Sequence, residues 1–336
     1  MIDSVRFENF KVLKDATLKL GPLNVVVGPN GSGKSTLLNA IDLIRTRGSA
    51  ASDSVRTQGS GEGRILASLT WSSDGQQLEA GIKSDAKNPV LPFSARNGSN
   101  LAANAPLIKE FERVLGGIRV YYFNPQQIGA QVQLTPQAEM SKDGSGFAAA
   151  LDRLRDTNED AFDRLQEDLA SWLPEFDHLA FDTPAPGHRA FKLRRKRTKE
   201  YIKSRDLSDG TLVALALLFI SHNTDRPTLV CLEEPDRGLH PRLLKQLAEA
   251  TFRLAYPAEF GLNSAPTQVI LTTHSPIFLN FLKDHPESIV IAEKRDNGLA
   301  DFHRAEEDPH YREVIEDCSL GDIWFTGVLG GVPVLK

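Results

Sequence analysis

The stretch LNVVVGPNGSGKSTLLNAI, Leu23 to Ile41, runs from an apolar segment through a glycine-rich loop into a helical repeat. LNVVV follows Gly21-Pro22 and reads as a buried strand, and from Thr36 the apolar residues recur at helical spacing. The order is therefore strand, loop, helix. Within it GPNGSGKST, Gly28 to Thr36, satisfies G-x-x-x-x-G-K-[ST] in the context that motif requires. Glycines let successive backbone N–H groups converge on phosphate oxygens, and the following helix turns its positive end to the same anion. Phosphate contacts are predicted from Asn30, Gly31, Ser32, Gly33, Lys34, Ser35 and Thr36. Lys34 is expected to reach the β- and γ-phosphates, and Ser35 to ligate Mg²⁺.

A second apolar run, LVCLEEPD from Leu229 to Asp236, ends in two carboxylates. A parallel strand ending in acid at the carboxyl edge, beside the phosphate-loop strand, is where a metal-organising carboxylate belongs. Adjacent strand residues point to opposite faces, so the two acids take different roles. Glu233 is expected on the metal side, acting through a bound water, and Glu234 is expected to orient and deprotonate the attacking water. A third run, TQVILTTH, ends in His274 at the same edge, within reach of a γ-phosphate. Between the loop and these strands lies LSDGT, Leu207 to Thr211, where Ser208 or Asp209 caps an unusually apolar helix.

The chain has 336 residues, enough for roughly two domains, with 40% hydrophobic and 25% charged residues. Its formal net charge of -5 excludes wholesale nucleic-acid coating, so DNA or RNA contact requires a local basic patch. The longest apolar run, Leu212 to Ile220, falls short of the roughly 20 residues a membrane span needs. The amino terminus, MIDSVRFENFK, has no secretory apolar segment, and the expectation is a cytoplasmic protein without a membrane partner. Cys231 and Cys318 are too far apart to suggest a disulfide framework or metal knuckle, and read as packing residues in a reducing compartment.

Along the chain, SVRFENFKVL and ATLKL alternate as strands, as do RILASLTW and QQLEAGIK around the turn SSDG. Residues 46–63 are Gly, Ser and charge, and carry no chemistry; residues 88–106 read as loop. LIKEFERVL is a short helix, IRVYYF a strand, and Gly146 to Phe176 two amphipathic helices. Apolar strands alternating with helices predict an α/β fold with a mostly parallel sheet covered on both faces. An antiparallel β region precedes it and a helical lobe interrupts it. KLRRKRTK places Lys192, Arg194, Arg195, Lys196, Arg197 and Lys199 on a hairpin. Two readings stand side by side: a solvated tip, or a few sequence-independent phosphate contacts, with no aromatic residue among the cations to stack on a base.

The ordered set NGSGKST, LSDGT, LEEPDRGLHP and TTHSP resembles the Walker A, signature, Walker B with D-loop, and switch-histidine motifs of the ABC ATPase superfamily. The nearer likeness is to its RecF-, SMC- and OLD-like soluble branch, including small stand-alone ATPases labelled AAA-family. VRFENFKVLKDATLKLGPLNVVVGPNGSGKSTLLNAI and SLGDIWFTGVLGGVP are similar to that branch at either end of the chain.

The resemblance implies a P-loop NTPase fold as one ABC-type domain over residues 1–336. Lobe I would cover about 1–115 and 226–305, lobe II with the helices, basic hairpin and signature about 116–225, and a closing segment 306–336. It implies ATP and Mg²⁺ as cofactors, ATP hydrolysis, and an ATP-dependent head-to-head homodimer in which Ser208 and Gly210 complete the partner's site. Gln126 or Gln127 would be the Q-loop glutamine. Three departures stand out: Glu233 replaces the commoner Asp, His240 occupies a D-loop position often held by aspartate, and LSDGT differs from the LSGGQ of transporters. Only 62 residues follow His274, with no second acidic cluster, so an effector nuclease or toxin is expected on a separate partner. The implied role is DNA repair, DNA maintenance or antiphage defence. The alternatives are a nucleotide-gated module that times an effector, and, less well matched, a transporter subunit.

Overall fold

The computed structural model describes residues 1–48, 50–51, 55–57, 64–84, 90–91, 93–96, 105–135, 139–223, 225–295, 298–307 and 319–325. Most of the loop at 46–63, most of the closing segment 306–336, and Cys318 lie outside the described residues. The chain divides into two units, one of Met1–Val120, Pro227–Glu233 and Pro266–Lys336, the other of Tyr121–Arg226 and Glu234–Ala265.

In the first unit a six-stranded sheet runs in the order Ala300–Arg304, Ile289–Lys294, Leu23–Val27, Gln268–Thr273, Leu229–Glu233, Ile118–Tyr121. Leu23–Val27 pairs in parallel with Gln268–Thr273 and with Ile289–Lys294, and Gln268–Thr273 pairs in parallel with Leu229–Glu233. Every residue of Leu23–Val27 and of Gln268–Thr273 is buried, as strands covered on both faces require. The acidic strand is thus not beside the phosphate-loop strand: Gln268–Thr273 lies between them. Sequence order fixes no strand order when crossovers intervene. Ile289–Lys294 is a further parallel strand that the sequence reading passes over. Ala300–Arg304 closes the edge antiparallel to it.

The amino-terminal sheet of the same unit is antiparallel, in the order Leu13–Lys19, Ile2–Phe10, Ile65–Ser73, Gln76–Ser84, Phe93–Arg96. Its last strand falls within residues 88–106, which the sequence reading leaves as loop. Four residues at a sheet edge, among Pro, Asn and Gly, give too short an alternation to register. The buried side chain of Gln268 joins the two sheets, its Nε2 donating to the carbonyls of Ile2 and Gly21 and its Oε1 accepting from Ile2 N–H at 2.9 Å. The helix Lys34–Arg45 packs on Ile65–Ser73 and on Leu229–Glu233. It buries Leu37, Leu38, Ile41 and Ile44, each stabilising by about 1.5–3 kcal/mol.

The second unit is built around the helix Asp209–His222, in which every residue from Thr211 to Ser221 is buried. A helix apolar on all sides must be surrounded. Helices Glu159–Trp172 and Pro241–Ala255 pack on it. Phe219 meets Phe147 edge-on, with centroids 5.7 Å apart, and Phe147 meets Phe191 in the same manner at 5.4 Å. Leu243, Leu244 and Leu247 bury the apolar stripe of Pro241–Ala255, and residues 234–265 therefore cluster with this unit, although the sequence reading assigns them to the other lobe. At the end of the central helix, His222 Nε2 contacts Asp168 Oδ2 at 2.9 Å, and Arg253 Nη1 donates to the same oxygen at 3.0 Å. One carboxylate thereby ties three helices together. The unit's sheet has the order Val132–Gln133, His188–Arg195, Phe176–Asp182, with Tyr201–Lys203 also paired to His188–Arg195.

Candidate nucleotide site

In the parallel ladder Glu233 sits opposite Thr272, and Thr273 opposite Val27. The acidic strand, the strand leading to His274 and the phosphate-loop strand therefore end at one carboxyl edge, where open α/β sheets bind their ligands. His274 follows one residue past Thr273 and stands level with Gly28, which follows Val27.

The loop after Val27 is shaped by close approach. A methyl group on Gly28 would lie 2.1 Å from the carbonyl oxygen of Ala292, so only glycine fits there. The sequence reading leaves Gly28 out of the site, although it is the first glycine of the motif. Gly31 and Gly33 hold φ of 78° and 96°, the left-handed region glycine enters without steric cost. No side chain caps the helix at Gly33, and the leading N–H groups of a helix are where an anion's oxygens are taken.

Lys34 is buried, and its Nζ donates to the carbonyls of Gly28 at 2.7 Å and Pro29 at 2.9 Å. The ammonium is thereby held across the mouth of the loop. Ser35 Oγ donates to Glu233 Oε1, joining the first turn of the helix to the end of the acidic strand. These two oxygen donors, one hydroxyl and one carboxylate, are the donor types a Mg²⁺ ion takes. Ser32 Oγ is buried without a hydrogen-bond partner among the described residues. The residues present therefore fit a polyphosphate with a divalent cation.

A family model described as "AAA domain, putative AbiEii toxin, Type IV TA system" matches residues 23–280. The chain belongs to this AAA family. The matched span runs from the phosphate-loop strand past His274, and with the relatives below it identifies an ABC-type ATPase domain of the RecF, SMC and OLD branch. One relative is the OLD nuclease of Thermus scotoductus, 52% identical over 44 residues, covering 13% of this chain and 8% of that protein. Another is the DNA double-strand break repair Rad50 ATPase of Saccharolobus solfataricus, 29% identical over 119 residues, covering 34% and 13%. A third is the DNA replication and repair protein RecF of Prosthecochloris aestuarii, 29% identical over 132 residues, covering 38% and 33%. The chain spans a third or less of the length of these relatives. A solved structure, the SmcHead bound to the C-winged helix domain of ScpA, has the same fold, with a TM-score of 0.63 at 15% identity over 90% of this chain and 96% of that one.

The remaining expected site residues of the AAA domain lie in the second unit. Glu234 is not a strand residue: the strand ends at Glu233, and Glu234 turns the chain with φ of 43°. Alternation of faces along a strand therefore does not govern the pair. A non-glycine residue in this region carries strain on the order of 1–3 kcal/mol, a cost that clusters at functional positions. The Glu234 carbonyl accepts from Arg237 N–H at 3.0 Å, and Pro235 is buried, so the turn is anchored on both sides.

Ser208 caps the helix Asp209–His222, its Oγ accepting from Thr211 N–H at 3.3 Å, and its side chain is exposed. Gly210 lies in the first turn. His240, the D-loop departure, acts locally, for its Nδ1 accepts from Arg242 N–H at 3.2 Å and caps the helix Pro241–Ala255. Gln126 and Gln127 are exposed on the four-residue helix Pro125–Ile128, whose cap is Asn124.

The basic hairpin is less uniform than its sequence. Arg194 Nε donates to Asp177 Oδ1 at 2.8 Å and Lys199 Nζ to Asp177 Oδ2 at 2.5 Å. The Arg194 and Lys199 hydrogen bonds pull the Asp177 carboxyl down to about 2. Arg195, Lys196 and Arg197 are exposed and make no ion pair among the described residues. Across the described helices none is long and apolar enough to cross a membrane.

Proposed function

We propose that this chain is an ATP-hydrolysing switch whose ATP-bound form is a head-to-head homodimer and whose work is coupled to DNA. The observation that carries the reading is the Ser35–Glu233 hydrogen bond, which joins the phosphate loop to the acidic strand across an intervening strand. With the buried Lys34 it gathers one fixed cation and two oxygen donors at the carboxyl edge of the parallel sheet. A Mg²⁺ ion, when bound there, would supply neutralisation of the negative charge on the phosphates.

Ser35 and Glu233 would hold that ion, Glu233 directly or through a water. Lys34 would neutralise the β- and γ-phosphates, and the backbone from Asn30 to Thr36 would cradle them. Glu234 would accept the proton of the attacking water and His274 would contact the γ-phosphate. Ser208 and Gly210 of one copy would close the site of the other, and Gln126 is the candidate Q-loop residue. The division of this work between two ABC lobes follows the same reading. Such a reaction needs positioning and charge neutralisation more than covalent help from the protein.

The DNA coupling draws support from the relatives named as DNA repair proteins. A second reading, a nucleotide-gated module that times a separate nuclease or toxin in defence, draws support from the toxin–antitoxin wording of the family. Phosphate release with and without duplex and single-stranded DNA tests the first reading. Stimulation supports it; a DNA-indifferent rate with intact ATP-dependent dimerisation would favour the second.

A further inference from the structure

We propose that the solvent-facing side of the hairpin sheet binds single-stranded DNA, with a base stacked on Tyr201 and the flanking phosphates taken by Lys192 and Lys203. The proposal deepens the DNA-coupled reading and rests on it. In the linear sequence the cations of KLRRKRTK contain no aromatic residue, but the strand register brings one to them. His178, Arg194 and Tyr201 form one row across three strands, and Ala180, Lys192 and Lys203 form the next row. The same alternation sends Leu179 and Leu193 to the buried side.

Tyr201 is 43% exposed, on a sheet whose other face carries the buried Leu179 and Leu193. Lys192 Nζ lies over its ring at 5.1 Å from the centroid, and His178 meets it edge-on at 6.4 Å. Lys192 and Lys203 stand directly opposite each other in the ladder. Like charges so placed repel, and neither makes an ion pair among the described residues. Asp177 offsets Arg194 and Lys199 with a single carboxylate, so the face keeps an excess of positive charge.

An exposed aromatic ring with lysines beside it on the same face of a strand pair is the arrangement by which unpaired bases are held without regard to sequence. A duplex hides the faces of its bases and would use the cations alone. When a base takes the ring face, the Lys192 ammonium is free to swing on its four-carbon stem to an adjacent phosphate.

Fluorescence anisotropy with labelled oligo(dT), and with a duplex of equal length, tests the site on the full chain. Tyr201→Ala should weaken oligo(dT) binding by about fivefold to a hundredfold, the range of one lost base stack, and should leave duplex binding nearly unchanged. Tyr201→Phe should retain oligo(dT) affinity, since the ring remains. Lys192→Ala with Lys203→Ala should lower the salt dependence of oligo(dT) binding by about 1.4 in the log–log slope, roughly 0.7 per lost phosphate contact. Unchanged oligo(dT) affinity in Tyr201→Ala, or loss in Tyr201→Phe equal to that in the alanine variant, would overturn the stacking site. Absence of oligo(dT) binding with duplex binding intact overturns the site and leaves the DNA-coupled reading standing. Failure of both DNA forms to bind overturns both, while ATP hydrolysis without DNA still reads the nucleotide site by itself.

Discussion

A methyl group on Gly210 would stand 2.6 Å from the carbonyl oxygen of Gly238, so the first turn of the signature helix and the turn that follows Glu234 form one packed surface. Gly210→Ala should cost about 1–3 kcal/mol, the usual penalty of overpacking, read as a lower urea midpoint at unchanged m-value. Gly116→Ala is the control. No atom lies within 4 Å of the added carbon there, and φ is not positive. Its effect should lie between neutral and about 1 kcal/mol stabilising.

Lys34→Ala removes the ammonium that Gly28 and Pro29 hold in place. We expect ATP affinity, measured by fluorescent-analogue titration, to fall at least tenfold, with the far-ultraviolet circular dichroism unchanged. An unchanged affinity would place the nucleotide elsewhere.

Two substitutions at Glu234 separate its backbone from its carboxylate. Glu234→Gln keeps the left-handed strain and should bind ATP, stop turnover and accumulate a dimer by light scattering. Glu234→Gly should also stop turnover, yet raise thermal stability, because glycine enters φ of 43° without the roughly 1–2 kcal/mol that a side chain costs. Wild-type phosphate release from either variant would refute the assigned base.

The Asp168 carboxyl is held below its ordinary 3.8 by the His222 hydrogen bond first, with Arg253 adding to it. A depressed acid contributes stability that is present above its unfolded value and is lost as pH falls through its folded value. Asp168→Asn should therefore destabilise by about 1.5–3 kcal/mol at neutral pH, the usual worth of hydrogen bonds to a charged group. The gap to wild type should narrow below about pH 4, the ordinary aspartate range. Urea titrations across pH read the convergence, and a gap that stays constant well into the acid range would contradict it.

The parallel sheet and its phosphate loop are legible because Val25–Val27 and Val269–Leu271 are continuous apolar runs, the pattern of strands covered on both faces. Strand order is not. Local patterns carry no information on which crossover lies between, and Gln268–Thr273 separates two strands that the motifs had made neighbours. Ile289–Lys294 escaped notice because its last two residues, Glu293 and Lys294, are exposed and shorten the apolar run. The turn at Glu234 was illegible for a different reason: glutamate gives no signal for a positive φ, which the anchored Pro235 and Arg237 impose. Tyr201 was missed because a hairpin, and not the linear sequence, sets it opposite Arg194.

The ladder between Leu23–Val27 and Gln268–Thr273 also bears on how the chain is born. Asn24 and Val269, hydrogen-bonded in the buried sheet, are 245 residues apart in sequence. On a ribosome moving at about 5–20 residues per second, the phosphate-loop strand waits on the order of 10–50 s for its nearest neighbour to be made. The segments that complete the second unit emerge during that interval. The first residues of the nucleotide site to be synthesised are thus among the last to be enclosed, and until then a largely apolar strand, Leu23–Val27, waits without its ladder partners.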